Sequence, residues 1–282
     1  MKRRRRCGSV RLLFFAAAIG AFAFDLARPL DGVAWTRPTG IREDTDCPVI
    51  PDAADVRLSR EEWARVRGGE IVVGIITEED KHRHVQAVGY LDAHPVWLFD
   101  LATDSAVTTE LVDIMKRVDV IEAEEMGKVI RGVVDVSALL PTFQYTLAVA
   151  YLEDRTGQCW SQIEGDFRRN EGTHSYLWDF ERGKTLGVFT FDLGLKGVLS
   201  IVPDGLVLKL TGRTLPGYMR AIDALAKRIA REDPERALRI ESQWLELRAR
   251  LQRGELPGRV WREGPEIHAA PARPESGAPA AR

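Results

Sequence analysis

Two hydrophobic periods divide the chain into a strand-rich first part and a helical end. The β-branched run "EIVVGIITE" (70–78) and the alternating run "HRHVQAVGYLD" (82–92) each predict a strand. The next apolar runs, "PVWLFDLATD" (95–104) and "TTELVDIMKRV" (108–118), have the spacing of short helices. Because Pro95 is acceptable in a first helical turn, the sequence predicts a strand that turns at "DAHP" into a pair of helices.

Further alternating runs follow and are joined by short polar turns. They form three pairs, at 119–137, 142–167 and 173–193, and the turns contain Gly127, "EDRTGQ" and "ERGK". Since short turns connect neighbouring antiparallel strands, we expect about six consecutive strands in a meander.

The pattern becomes helical near Pro203. Thr214 is a predicted helix cap, and 214–232 carries an apolar stripe made of Leu215, Met219, Ile222, Leu225 and Ile229. The segment 233–254 predicts a second amphipathic helix. The Pro- and Ala-rich segment 255–282 predicts a disordered tail.

A short helix is also predicted at 59–67, ahead of the first strand. Ser59, with Glu62 three positions later, has the pattern of a capping box. The apolar face of this helix, which should dock on the main domain, contains Leu58, Trp63 and Val66.

These elements predict an α+β fold in which a curved antiparallel sheet wraps around a long C-terminal helix. The sheet and the helix bury their apolar faces against each other, and the space between them is either filled by side chains or left as a pocket. The predicted parts of the chain are a signal peptide at 1–23, an extended leader at 24–54, the main domain at 55–231, a helix at 232–254 and the tail.

Three segments resemble the START-like superfamily, also called SRPBCC, which includes polyketide cyclases and coenzyme-Q-binding proteins. They are "VQAVGYLDAHPVWLFDLATD", "CWSQIEGDFRRNEGTHSYLWDFERGKTLGVFTFD" and "LPGYMRAIDALAKR", and the resemblance covers roughly residues 69–231. There are departures: Gly183-Lys184-Thr185 has one residue more than the Gly-Thr hairpin of the family, and "DSAVTTELVD" lacks the aromatic residue and proline often found there.

The resemblance implies a helix-grip fold and a hydrophobic small molecule bound between the sheet and the long helix. Some members of the superfamily cyclise polyketides, and many carry lipids, sterols or quinones. The periodicity of the chain by itself predicts only the sheet and the helix it grips.

The N-terminus has the pattern of an export signal. Basic residues in "MKRRRRCGSVR" precede an apolar run, Leu12 to Phe24, of 13 residues. A membrane-spanning helix needs roughly 20 residues, and "AFA" (21–23) fits a cleavage site, so we expect a cleaved signal peptide and a periplasmic or secreted protein. The alternative is an uncleaved N-terminal anchor.

Removal of 1–23 takes away six basic residues and no acidic ones, which changes the formal net charge from −2 to −8. An acidic protein is a poor partner for a nucleic-acid backbone, so no nucleic-acid partner is expected. Two cysteines remain, Cys47 and Cys159, which could pair in an oxidising compartment. The sequence does not place them together, and it contains no CxxC motif or zinc-ligand spacing, so no metal or other cofactor is expected.

Aromatic residues on the alternating strands are candidates to line a ligand pocket. Tyrosine and tryptophan can orient a ligand through their polar tips, but plain core packing explains the same pattern. The candidate ligand-binding residues are Trp97, Phe143, Tyr145, Tyr151, Tyr176, Trp178, Phe189, Phe191, Met219 and Ile222.

No set of residues has the pattern of a catalytic triad, and "GKT" (183–185) lacks the context of a phosphate loop, so no catalytic residue is predicted. The favoured hypothesis is an exported carrier of a lipid, quinone or similar molecule, with a membrane surface as a possible ligand donor. The alternatives are a polyketide cyclase-like enzyme and an interaction module that has a filled core and docks through the helix containing Trp244.

Overall fold

The computed structural model describes residues 47–56, 58–77, 83–112, 114–135, 142–196 and 204–262. The helices are α1 (Arg60–Arg67), α2 (Pro95–Thr103), α3 (Ser105–Leu111), α4 (Asp204–Glu232) and α5 (Pro234–Gln252). The strands are β1 (Val72–Thr77), β2 (Arg83–Leu91), β3 (Met115–Glu124), β4 (Gly127–Val134), β5 (Phe143–Tyr151), β6 (Gly157–Gly165), β7 (Phe167–Asp179), β8 (Lys184–Leu195) and β9 (Val260–Trp261). The predicted signal peptide and most of the leader lie outside the described residues.

The strands form one curved, unclosed sheet in the order β1-β2-β8-β7-β6-β5-β4-β3, with β9 paired in parallel to β7. Every neighbouring pair from β3 to β8 is antiparallel and consecutive in the chain. The predicted meander is therefore confirmed. The strand of the "DAHP" corner, β2, pairs with the last strand of the meander, β8, and so places the helix pair over the sheet.

Because side chains alternate along a strand, the sheet has two faces, each covered by different elements. The concave face carries α4, which contacts β1, β2 and β8, together with α2, α3 and α5. The convex face carries α1 and the residues around it. This arrangement is the helix-grip fold expected from the sequence, and the predicted α+β class is confirmed.

Close approach of α4 to the sheet depends on small residues. A Cβ added to Gly212 of α4 would lie 3.0 Å from the Val73 side chain, and one added to Gly187 of β8 would lie 3.1 Å from the Met219 Cε. Met219 and Ile222 are fully buried in this contact. The centre of the grip is thus filled by side chains.

The "DAHP" corner is held by a network of hydrogen bonds and ion pairs. The Ala93 N–H donates to Asp223 of α4 at 2.8 Å, and the Thr185 hydroxyl donates to the Ala93 carbonyl at 2.7 Å. His94 caps α2, since its Nδ1 accepts from the Trp97 N–H. Asp92 instead pairs with lysines on β8 and α4. The corner therefore fixes α2 between the sheet and α4.

Helix α5 is part of the same core. Arg236 donates to Asp100 and Asp104, which ties the start of α5 to α2 and α3. Trp244 is 7% exposed and packs edge-on against Trp178 of β7 at 4.6 Å. The indole of Trp244 therefore belongs to the aromatic core of the domain, and the hypothesis that the helix containing Trp244 docks a partner stays a prediction.

The convex face is covered by both ends of the described chain. Trp63 of α1 stacks near Tyr90 of β2 and meets Trp261 of β9 edge-on at 4.8 Å. The capping box of Ser59 and Glu62 is present, and the predicted apolar face of α1 is buried. The docking of this helix is therefore confirmed.

A disulfide joins Cys47 to Cys159 of β6, with the two Cα atoms 5.8 Å apart. Nearby, the Ser175 hydroxyl donates to the Pro51 carbonyl at 2.6 Å, and the Arg259 guanidinium donates to both groups. The pairing that the sequence left open thus fastens the last residues of the leader to the convex face.

Several predicted boundaries are wrong. The helix predicted at 108–118 ends at Leu111, because Met115 and the β-branched residues that follow pair with β4. Thr214 is not a cap, since α4 begins at Asp204 and runs through Pro216. A proline within a helix removes one backbone bond, but the packing of α4 on the sheet outweighs that local cost.

The disordered tail predicted at 255–282 is wrong for its first residues. Pro257–Arg259 form a 3₁₀ helix, and Val260 and Trp261 pair with Trp178 and Asp179 of β7. Both β9 side chains are buried. Tertiary pairing therefore orders a segment whose composition is typical of disorder, and residues beyond 262 lie outside the description.

Candidate functional site

A row of side chains crosses the concave face on one rung of the sheet. Tyr151 of β5 pairs with Gln158 of β6, Gln158 pairs with His174 of β7, and His174 pairs with Phe189 of β8. Directly opposed residues point to the same side of a sheet, so all four side chains face the helices. The register therefore brings an amide and an imidazole into an interior that is otherwise aromatic.

His174 lies at the centre of this row. The Gln158 Nε2 lies 3.0 Å from the His174 Nδ1, and the imidazole stacks on Phe189 with ring centroids 4.1 Å apart. Trp160 meets the imidazole edge-on at 5.0 Å, and Tyr218 of α4 lies 5.7 Å from it. We call the following residues the His174 cluster: Gln158, Trp160, His174, Tyr176, Phe189 and Tyr218.

Burial keeps the titratable groups of the cluster uncharged. It lowers the pKa of His174 to about 3. Burial, and then the neighbouring Tyr218, raise the pKa of Tyr176 well above its ordinary value, and burial raises the pKa of Tyr218 as well. At neutral pH the imidazole is thus neutral and both phenols are protonated.

Two buried polar atoms of the cluster have no hydrogen-bond partner among the described residues: the Tyr176 Oη and the Gln158 Oε1. Tyr176 is fully buried and Gln158 is 5% exposed. A buried polar atom without a partner costs about 1–3 kcal/mol, so native interiors contain few of them. The cluster therefore has hydrogen-bonding capacity that the described part of the chain does not use.

An open groove lies at the Tyr151 end of the row, where Tyr151 pairs with Gln158 of the cluster. Its volume is about 220 Å³, and its walls come from α2, α5 and the turns after β3 and β5. Phe99 packs edge-on against Tyr151 at 5.3 Å, and burial raises the pKa of Tyr151 to about 12. The groove is lined by Val96, Phe99, Asp100, Thr103, Glu125, Tyr151, Arg155 and Gln243.

A second, wider basin of about 510 Å³ lies where α5 begins. Its charged side chains are those that join α5 to α2, with Arg236 between Asp100 and Asp104. These groups are already paired with one another. The basin is thus a charged surface feature rather than an apolar site.

The structure divides the sequence-predicted ligand-binding residues among four places. Four meet at the centre of the grip: Tyr176, Phe189, Met219 and Ile222. Phe143 and Tyr145 belong to a separate cluster with Phe167, and Phe191 contacts both clusters. Trp97 and Trp178 pack beneath α5, and Tyr151 lines the groove. That these residues bind a ligand stays a prediction.

The predicted ligand-binding residues do not include Gln158, His174 and Tyr218, because the prediction rests on apolar and aromatic positions. The missed signal was the polar residue at an inward strand position: Gln158 is two residues from Trp160, and His174 is two residues from Tyr176. On an aromatic strand face, such a residue must bond within the interior.

Comparison with known proteins gives matches by structure only. No protein-family model matches the sequence, and no curated protein sequence matches it. Among solved structures, a START superfamily protein from Mycobacterium smegmatis is 18% identical over 52% of this chain and 98% of its own, with a TM-score of 0.43. The ZhuI aromatase/cyclase from Streptomyces sp. R1128 is 16% identical over 52% and 95%, with a TM-score of 0.45.

Human StAR-related lipid transfer protein 5 is 14% identical over 60% of this chain and 93% of its own, with a TM-score of 0.43. At such identities the likeness is one of general fold, and the helix-grip assignment rests on the strand order and helix placement described above. In the described part of the chain, no helix is long and apolar enough to cross a membrane.

Proposed function

We propose that this chain binds an apolar small molecule on the concave face of its sheet, at the groove beside Tyr151 and the adjoining His174 cluster. The proposal rests on two buried polar atoms in aromatic surroundings, the Tyr176 Oη and the Gln158 Oε1, for which the described part of the chain supplies no hydrogen-bond partner. A core that only stabilises the fold gains nothing from them. A ligand that bonds to these atoms would offset the cost of their burial.

The size of the groove bears on the ligand. A volume of about 220 Å³ lies below the roughly 300–1,000 Å³ typical of pockets for drug-sized ligands. The groove therefore accepts a small molecule directly, whereas a larger ligand requires movement of the surrounding elements. Gln243 of α5 and Phe99 of α2 both line the groove, so these helices are the ones that would move.

The protonation states of the His174 cluster favour binding over catalysis. A general base works best when its pKa lies near the working pH, and burial lowers the pKa of His174 to about 3. The neighbouring tyrosines have raised pKa values and hold their protons. A carrier or binding protein is therefore the better reading than a cyclase-like enzyme.

Export of the protein is also part of the proposal. The disulfide between Cys47 and Cys159 supports it, because disulfides persist mainly in oxidising compartments. N-terminal sequencing of the protein recovered from a bacterial periplasm should give Phe24 as the first residue. An intact Met1 on membrane-bound protein would instead support the uncleaved anchor. The membrane as a ligand donor stays a prediction from the sequence.

The binding proposal is tested by what the protein carries. Residues 24–282 would be exported in a bacterial host, purified, extracted with organic solvent and analysed by mass spectrometry. We expect one apolar compound in a stoichiometric amount. If the protein is empty and also fails to bind added apolar probes, the concave face is only a structural core.

A matched pair of variants locates the compound. Tyr176→Phe removes a hydroxyl from the concave face, and Ser175→Ala removes one from the convex face at the neighbouring position of β7. Loss of the compound from the first variant alone places it at the His174 cluster. Equal retention in both variants would place it elsewhere.

A further inference from the structure

The His174 cluster combines polar side chains that are all neutral. Its hydrogen-bonding groups are one amide, one imidazole and two phenols, from Gln158, His174, Tyr176 and Tyr218. Burial alone accounts for the lowered pKa of His174, so no charged neighbour stabilises its protonated form. Among the described residues the His174 cluster thus offers hydrogen-bonding groups and no charged side chain, whereas the charged side chains of Asp100, Glu125 and Arg155 line the groove outside the cluster.

The unused hydrogen-bonding atoms of the His174 cluster suit a ligand group that both donates and accepts hydrogen bonds. The Tyr176 hydroxyl has no partner among the described residues and can donate to an oxygen. One polar atom of the Gln158 amide bonds to His174 and the other is left over. In either orientation of that amide, the leftover atom can be satisfied by a hydroxyl, which is both a donor and an acceptor.

Charged side chains do not complete the site. Of the buried Lys, Arg, Asp and Glu residues in the described part of the chain, Lys128 is the one on the concave face. Its amine donates to the Thr103 carbonyl at the end of α2 and to the Ser105 hydroxyl at 3.1 Å. This lysine therefore links α2 and α3 to the sheet. An ionised ligand would bring an uncompensated charge into an apolar interior, which is strongly unfavourable.

We propose that the ligand is an uncharged apolar molecule carrying a hydroxyl or carbonyl oxygen, which bonds to Tyr176 and Gln158, and that ionised amphiphiles such as fatty acids are excluded. The inference rests on the proposed binding function. It adds the chemical class of the ligand and the two residues that select it.

The test uses three probes of one ring system: naphthalene, 1-naphthol and 1-naphthoate. At pH 7 they are apolar, neutral with a hydroxyl, and ionised, respectively. Binding to the exported protein would be measured by isothermal titration calorimetry. We expect 1-naphthol to bind about tenfold more tightly than naphthalene, equivalent to about 1.4 kcal/mol, and 1-naphthoate to bind more weakly than both.

Variants assign that preference to the cluster. Gln158→Leu combined with Tyr176→Phe should remove the tenfold advantage of 1-naphthol while naphthalene binds as well as before. Tyr90→Phe, which removes the hydroxyl of a half-buried tyrosine from the convex face, is the control and should keep the advantage. If the double variant does not fold, Tyr176→Phe alone should reduce the advantage by more than half.

The outcomes separate the two claims. Binding of 1-naphthoate as tight as that of 1-naphthol would overturn the ligand class and leave the binding function in place. An unchanged preference in the cluster variants would overturn the roles of Gln158 and Tyr176. Failure of all three probes to bind, together with an empty protein in the extraction experiment, would overturn the binding function itself.

Discussion

Ser175 and Tyr176 are adjacent on β7 but face opposite sides of the sheet, and their hydroxyls are treated differently. On the convex face, the Ser175 hydroxyl contacts the Pro51 carbonyl and the Arg259 guanidinium. On the concave face, the Tyr176 hydroxyl is equally buried and has no partner among the described residues.

The contrast extends along both faces. On the convex side, Thr173 bonds to Thr190, and Tyr90 donates to Asp179. On the concave side, the side chains of Gln158, Gln162 and Trp178 each have one polar atom that bonds to nothing in the described part of the chain. On the convex face, the Nε1 of Trp261 also has no hydrogen-bond partner among the described residues. Most polar side chains on the convex face thus bond within the domain, while several on the concave face have atoms free to bond to a ligand. A few such polar groups in apolar surroundings are typical of a binding surface.

The largest loss of stability should follow removal of the disulfide on the convex face. Replacing both Cys47 and Cys159 by serine opens a loop whose ends are 112 residues apart in the chain. The unfolded chain then gains entropy, so the free energy of unfolding should fall by about 4–5 kcal/mol. Urea unfolding of the oxidised protein and the variant measures this difference.

Ligand binding should survive in that variant, because the concave face contains neither cysteine. A loss below about 1 kcal/mol would mean that the disulfide does not restrain the unfolded chain as the entropic account requires. A loss of ligand binding would show that the two faces are not independent.

The second effect concerns pH and the concave face. The pKa of His174 is lowered from 6.5 to about 3, so the unfolded chain takes up a proton as pH falls below 6.5 while the folded protein does not. Stability from this group is complete above pH 6.5 and is lost progressively toward pH 3. Between pH 7 and pH 5 the free energy of unfolding should fall by about 2 kcal/mol on its account.

His174→Gln is the control for this slope. Urea unfolding at pH 7 and pH 5 should show a smaller loss in the variant, by about 2 kcal/mol. His94, whose pKa is also lowered by burial, contributes equally to both proteins. An identical pH dependence in the two proteins would mean that water reaches the imidazole of His174.

A third effect compares the adjacent hydroxyls directly. Ser175→Ala removes the contacts to Pro51 and Arg259 and leaves the arginine with one of its two acceptors. The free energy of unfolding should fall by about 1–2 kcal/mol. Thermal or urea unfolding measures the change, and no change would mean that the guanidinium is satisfied by water.

The smallest effect should have the opposite sign. Tyr176→Phe removes a buried hydroxyl to which no described residue bonds, so the unliganded protein should be unchanged or up to about 1 kcal/mol more stable. The measurement requires protein stripped of any bound compound. A destabilisation as large as that of Ser175→Ala would mean that the Tyr176 hydroxyl is bonded in solution and would remove the contrast between the faces.

Local sequence patterns specify most of the elements and their order. Alternation in "HSYLWDF" and "LGVFTFD", the capping box of Ser59 and the apolar stripe through Met219 are local patterns, and local geometry fixes what they can form. Their order was enough to predict the meander, the helix pair at "DAHP" and the long helix in the grip.

Tertiary contacts set the outcome in segments whose local preference is weak and wherever residues distant in the chain meet. Met115 to Val118 became strand rather than helix because β4 offered a pairing partner, and Val260 and Trp261 became ordered because β7 did. The disulfide joins residues whose separation in the chain gives no information on distance in space.

The candidate site also depends on contacts between residues that are distant in the chain. Gln158, His174 and Tyr218 come from β6, β7 and α4, and each looks unremarkable in its own segment. Only the register between strands and the crossing of the helix bring the three together. That juxtaposition turns an aromatic core into a site with hydrogen bonds to offer, because a polar atom needs a partner only once folding has removed it from water.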